Sequence, residues 1–200
     1  MILAFDTSSA ACTAALFDGS GQCVAGRDER IERGHAERLV PLIAELLDGR
    51  TPSSILVGVG PGSFTGIRVG IAAAHGLAIG WGISVHGMSS LALLAAAAQG
   101  QPVAAVIQGG HGELFVQQFD DWAAPGSMLN CRPEAAAECV GAAVAVGSGA
   151  AQLVALRGFG EARDILPSAA NALLLPLALR TLDPRPHYAR APDAKARDAA

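Results

Sequence analysis

The sequence predicts an α/β protein of two lobes, and three observations predict it. Short apolar runs ending in polar or glycine-rich turns alternate with segments of helical period. The first three runs follow one another across short turns, as antiparallel strands do. The order strand, hairpin, helix, strand, helix then returns, less clearly, after a break at Gly100-Gln101-Pro102. The expected layout is a first lobe over 1–100, a smaller second lobe over 101–190 and a tail over 191–200 rich in Pro, Ala and charge.

The elements follow in order. Residues 2–6 form a buried strand that stops at Asp6-Thr7-Ser8-Ser9. Residues 11–18 return as a second strand, and Asp18-Gly19-Ser20-Gly21 turns into a third at about 22–28. From Gly34 to Leu47 the period becomes helical, with Leu39, Leu42, Ile43, Leu46 and Leu47 on one stripe. Pro41 predicts a kink or a late start there, and Asp48-Gly49 the end. Ile55 to Gly60 is a buried strand, Pro61-Gly62-Ser63 a tight turn with Ser63 as N-cap, and 64–80 a long helix. A strand at 83–86 and a helix at 89–98 complete the first half. In the second half strands are expected at 103–107, 113–119 and 142–146, with helices near 149–156 and 169–181.

Composition narrows the function. Of 200 residues, 51% are hydrophobic and 16% charged, which excludes a disordered chain. Aromatics are only 4%, so helices must pack through small side chains. The net charge of −4 makes a poor autonomous nucleic-acid binder. Lys195 is the only lysine, which removes a P-loop or a lysine nucleophile. Cys12, Cys23, Cys131 and Cys139 show neither C-x-x-C nor zinc spacing, and are expected as buried reduced thiols. No basic region precedes Ile2–Phe5, so no signal peptide is expected; with no apolar run long enough to span a membrane, a cytoplasmic protein is.

Three segments carry possible chemistry. In Gly58–Gly70, GVGPGSFTGIRVG, a glycine-rich loop enters a helix, a setting that binds phosphate elsewhere; it matches neither phosphate-loop spacing. Instead Gly62, Gly66, Gly70, Ala74 and Ala78 recur every four residues, with Gly60 and Ser63 ahead of them. Interior glycines cost about 0.5–1 kcal/mol each relative to alanine, so close packing must compensate, against another chain or within this one. Phe64, Ile67, Arg68, Ile71 and His75 flank the stripe. Asp6-Thr7-Ser8 sits where actin-like ATPases carry a phosphate hairpin, but lacks the glycine between Asp and Thr, so a hydrogen-bonded turn is expected. Ser63 has an elbow-like setting without the G-x-S-x-G spacing. The five histidines are dispersed without metal spacing. Arg27, Arg30, Arg33 and Arg38 interleave with Asp28, Glu29, Glu32 and Glu37 as a mixed solvated face.

Taken together the strings resemble the TsaB (YeaZ) family. The pieces are Ile2–Ser8, His35–Ile43, the long Gly58–Gly70 motif, His86–Leu91 and Pro186–Arg190. The resemblance is dense over 1–98 and sparse beyond. It implies an actin-like two-lobed fold with a reduced second lobe. It implies a scaffold with no catalytic residue and no metal of its own, in the machinery that installs threonylcarbamoyl on tRNA adenosine. The implied partners are a TsaD-like catalytic subunit and a TsaE-like ATPase, with a homodimer when alone, tRNA reached only through the complex, and ATP and magnesium belonging to that complex. First-lobe helices would dock, with His35, Leu39, Leu42, Ile43, Leu46, Phe64, Ile67, Arg68, Ile71, Ala74 and His75 as contacts, while Asp6, Thr7 and Ser8 would form a degenerate phosphate loop. One departure stands out: Gln108-Gly109-Gly110-His111 replaces the family's Asp-Ala-Arg string.

Overall fold

The structure, a computed structural model, describes residues 1–188. Strands β1 (Ile2–Asp6), β2 (Ala11–Phe17), β3 (Cys23–Arg30), β4 (Ser54–Gly58) and β5 (Ser84–Met88) form one sheet in the order β3-β2-β1-β4-β5. β2 pairs antiparallel with β1 and β3; β4 pairs parallel with β1 and β5, with Phe5 opposite Val57. Parallel pairs need crossovers, supplied by α1 (His35–Leu47) and α2 (Phe64–Trp81). Strands β6 (Val103–Gln108), β7 (Leu114–Phe119), β8 (Leu129–Cys131), β9 (Val144–Val146) and β10 (Glu161–Arg163) form a second sheet, β10-β9-β6-β7-β8. Renumbered within itself, that is the same 3-2-1-4-5 order.

Alternation along each strand decides what each face covers. Leu3, Phe5, Cys12, Ala14, Leu16, Ile55 and Val57 face an outer core under α1 and α2. Ala4, Ala15, Phe17 and Leu56 face inward, as do Val103, Ala105, Ile107, Phe115 and Val146 of the second sheet. Between the sheets lies α3 (Ser90–Ala95), every residue of which is buried. Such a helix, apolar all round, fits only between two layers. Ala104, Val106, Leu114 and Ala145 face a third core under α4 (Pro133–Cys139) and α5 (Ala150–Arg157).

After β10 the chain returns to the first sheet. A 3-10 turn, Ala169–Leu174, packs on β1, β2 and β3. Thr13 Oγ1 donates to the Asp28 carboxylate and accepts from Ala169 N at 2.7 Å; Ser168 Oγ donates to Asp28 Oδ2 at 2.8 Å. Leu182 then bridges Gly87, and His187 N donates to Val59 O at 2.8 Å. Residues 164–188, expected within a lobe over 101–190, therefore pack largely on the first-lobe sheet. The tail at 191–200 lies outside the described residues, as does Arg190.

Several expectations change. The single helix over 169–181 is a 3-10 turn and a short α6 (Leu177–Arg180), because Pro176 has no N–H and holds Leu175 extended. α1 begins at His35 with Pro41 inside it, so Pro41 marks no late start. β8, α4 and β10 are additional elements of three, seven and three residues. Of the cysteines only Cys12 is buried, where burial raises its thiol pKa to about 11; Cys23 and Cys139 are exposed.

Candidate functional site: a seated turn, a cleft and an outer helix face

The β1–β2 turn and the glycine-rich segment form one structural unit. Asp6 is fully buried. Its Oδ1 accepts from Ser8 N and Ser8 Oγ, both at 2.7 Å, and its Oδ2 accepts from Ser90 Oγ at 2.5 Å. Ser90 Oγ in turn accepts from Gly60 N at 3.1 Å. Thr7 Oγ1 donates to Gly66 O at 2.7 Å, and Ser63 N donates to Ser8 O at 2.6 Å. The glycines make this approach possible. A Cβ on Gly58 would overlap the Asp6 carboxylate, on Gly62 the Ser8 carbonyl, and on Gly66 the Thr7 carbonyl; on Gly70 it would press on Thr7 Oγ1. Gly60 sits at φ +100°, in the left-handed region. The stripe Gly62, Gly66, Gly70 therefore packs within the chain, against a turn rather than a helix. Both Asp6 oxygens, the Ser8 amide and the Thr7 hydroxyl are therefore engaged within the chain.

Beside this unit a cleft of about 790 Å³ opens between the sheets. Ile67, Leu94, Ile107 and Phe115 give it an apolar floor, while Arg30, Glu32, Gln108, Ser148 and Asp164 add polar walls. At its edge the Phe64 and Tyr188 rings pack tilted by 30°, with centroids 4.6 Å apart. The Arg68 guanidinium lies 3.7 Å from the Phe64 centroid and donates from Nε to Tyr188 Oη at 2.8 Å. Sequence reasoning missed the contribution of Ser148, between Gly147 and Gly149, which lines the cleft and whose Oγ accepts from Gln108 N at 3.0 Å. A short apolar strand running into G-S-G and then a helix was the available signal. His111, in the turn that departs from the family string, adopts φ 61° and lines the same cleft.

The predicted contact residues divide. Leu39, Leu42, Ile43, Leu46, Ile67, Ile71 and Ala74 are at most 8% exposed, all inside the chain's own outer core. His35 is buried too, with Nε2 3.2 Å from the Ala11 carbonyl, to which it donates. These eight cannot form an outward surface, which corrects the expectation: the apolar stripes of α1 and α2 turn inward onto the sheet. Phe64, Arg68 and His75 do face outward. They share that side of α2 with a second small-residue row, Ala72, Gly76 and Gly80; a Cβ on Gly76 or Gly80 would meet nothing within 4 Å. Ile79 is 84% exposed there, and Val40, Pro41 and Ala44 are exposed on α1.

Ser63 is the N-cap of α2, accepting from Gly66 N at 3.2 Å, so its hydroxyl has a structural task. Among the described residues no group of three or more His, Cys, Asp or Glu could hold a metal ion, and no helix is long and apolar enough to cross a membrane. In the mixed charged face, Arg38 bridges Glu29 at 2.6 Å and Glu45 at 2.7 Å. Those hydrogen bonds hold both carboxyls below the usual carboxylate range.

Two sheets of equal order around a cleft, with a glycine-seated hairpin turn, define an actin-like α/β protein. A family model described as "TsaD: tRNA N6-adenosine threonylcarbamoyltransferase" matches residues 29–157. The solved structure of YeaZ from Pseudomonas aeruginosa aligns with TM-score 0.77 and 31% identity over 94% of this chain and 98% of that one. The chain belongs to the TsaB/YeaZ family. The TsaB protein of Escherichia coli is 35% identical over 128 residues, covering 59% of this chain and 54% of that protein. The TsaB of Haemophilus influenzae is 36% identical over 127 residues, covering 58% and 52%. The chain thus spans about half the length of the curated relatives it matches. EutJ of Carboxydothermus hydrogenoformans, 13% identical with TM-score 0.50 over 84% of this chain and 87% of its own, shares the fold alone.

Proposed function

We propose that this chain is a non-catalytic scaffold subunit in tRNA threonylcarbamoyladenosine biosynthesis, the process named for its Escherichia coli and Haemophilus influenzae relatives. It works by pairing with a TsaD-type catalytic subunit, which transfers threonylcarbamoyl to N6 of the adenosine beside the anticodon in tRNAs reading codons that begin with A. A TsaE-type ATPase joins that pair in the cytoplasm, and ATP with magnesium and the tRNA belong to the assembled complex. Alone, the chain covers the same face by forming a homodimer.

One observation carries the reading: among the described residues the outward side of α2 exposes Ala72, Gly76, Gly80 and Ile79, the last 84% exposed, next to the point where Arg68 and His75 meet Tyr188 and Pro184, and Val40, Pro41 and Ala44 of α1 are exposed as well. Small residues let a partner helix approach closely, and the apolar area then contributes the association energy. The engaged state of Asp6, Thr7 and Ser8 supports assigning the nucleotide to the complex rather than to this chain.

The test is light scattering and calorimetry on the purified chain, titrated with ATP and magnesium and then with its cognate TsaD. A homodimer that ignores ATP and exchanges for a heterodimer supports the reading. Ile79→Asp should weaken both pairings by roughly tenfold or more with an unchanged melting temperature. Ile71→Asp instead places a charge in the core and should unfold the chain. Full pairing by Ile79→Asp would move the docking face elsewhere.

A further inference from the structure

We propose that Asp6 is a positioning residue: its carboxylate shapes the β1–β2 turn into the socket that seats the start of α2, and so sets where the outward face of α2 stands. This rests on the docking role proposed above.

Asp6 occupies a position where a carboxylate invites a catalytic or phosphate-binding reading, yet it is fully buried and bonds to its own turn and to Ser90, which extends the link to Gly60. Through Oδ1 it closes its own turn on Ser8 N and Ser8 Oγ. Through Oδ2 it holds Ser90 at the start of α3, and Ser90 passes the hold to Gly60 N in the loop before α2. The turn so fixed offers the Ser8 carbonyl to Ser63 N and the Thr7 hydroxyl to Gly66 O. Ser63 and Gly66 are the N-cap and a first-turn residue of α2. Two residues beyond Gly66, Arg68 leaves on the outward side and meets Phe64 and Tyr188.

The chemistry requires a carboxylate. Oδ1 faces two donors and Oδ2 a third, and a carboxyl group offers two oxygens with lone pairs for all three, where an amide offers one. In Asp6→Asn the amide nitrogen can replace Oδ2, where Ser90 Oγ can rotate to accept. It cannot replace Oδ1 without facing the Ser8 amide donor to donor. Asparagine therefore keeps part of the socket and alanine none.

The experiment compares the wild-type chain with Asp6→Asn, Asp6→Ala and Leu153→Ala, the last a second-lobe core change that lowers stability away from the socket. Amide hydrogen exchange is read at Gly60, Ser63 and Gly66, the Ser8 amide proton shift by NMR, and cognate TsaD affinity by calorimetry. In Asp6→Ala the Gly60 and Ser63 amides should exchange at least roughly tenfold faster, with a smaller rise in Asp6→Asn, while β6 and β7 amides keep their protection. The Ser8 amide resonance should move upfield, and TsaD affinity should fall. Asp6→Ala should lose more of each, with Asn recovering part; Leu153→Ala should leave the socket amides and the affinity unchanged. Unaltered exchange and shift in Asp6→Ala overturn the proposal. So does saturable Mg-ATP binding by the wild-type chain that Asp6→Asn abolishes, since the carboxylate would then serve nucleotide. Faster socket exchange with undiminished TsaD affinity overturns the link from socket to docking face. Failure of wild-type chain to bind TsaD at all defeats the docking role instead, while the exchange data still decide the socket.

Discussion

The two sheets share one strand order and differ in what their ends carry. In the first, the β1–β2 turn sends Asp6 and Thr7 into the neighbouring loop, and that loop is stripped of side chains to receive them. In the second the direction reverses: the loop after β9 supplies the Ser148 hydroxyl, which accepts from the backbone N–H of Gln108 at the end of β6. The following helices differ as well, 18 residues in α2 against eight in α5. A five-strand frame thus tolerates either solution, and only the first produces a helix long enough to expose a second face.

That contrast can be broken most forcefully at the glycines. Gly66→Ala drives a Cβ into the Thr7 carbonyl and should cost about 3 kcal/mol in urea unfolding. Gly149→Ala meets side-chain ends of Val106 and Leu114, which can shift, and should cost less. Equal costs would mean that the first-lobe turn is no more tightly seated than its counterpart. Leu91→Ala, in the helix between the sheets, should cost about 2–5 kcal/mol and lower the protection of amides in both sheets; an effect confined to one sheet would refute the shared core. Gly76→Ala, on the open side of α2, should stabilise the isolated chain by about 0.5–1 kcal/mol, in opposition to Gly66→Ala on the same helix.

The smallest effect belongs to Arg38. Its hydrogen bonds depress the Glu29 and Glu45 pKa values below the ordinary 4.5. A depressed carboxyl stabilises the fold above its unfolded pKa and loses that contribution as pH falls through the folded one. Urea midpoints of wild type and Arg38→Met should therefore differ slightly at pH 7 and converge below pH 4.5; a constant gap would show that packing of the arginine stem, not charge, is responsible.

Legibility followed length and periodicity. The first sheet, α1 and α2 were readable because their apolar residues recur at one period and are punctuated by Asp48-Gly49 or Ser63. The short elements of the second half were not: three residues at Leu129–Cys131 or Glu161–Arg163 cannot display a period. The outward side of α2 was hidden for another reason. Both rows of small residues recur every four positions, so Gly62-Gly66-Gly70 and Ala72-Gly76-Gly80 look alike in sequence, and the seat on Thr7 and Ser8 tells them apart. Pro176 was visible in the sequence, and its missing N–H should have divided the last predicted helix.

The inner core has a consequence for the order of folding during synthesis. It joins Ala4, Leu56 and Leu91 to Val103, Val146 and Leu175 in one cluster. When the first hundred residues leave the ribosome, the outer core under α1 and α2 can close, but the reverse side of the first sheet and half of α3 still lack their cover. That apolar face waits for the second sheet, and the last piece, Ala169, Ala172 and Leu175, arrives only after the second sheet has been made. The nascent first lobe is therefore the aggregation-exposed species, and the mature protein should melt in one transition rather than lobe by lobe.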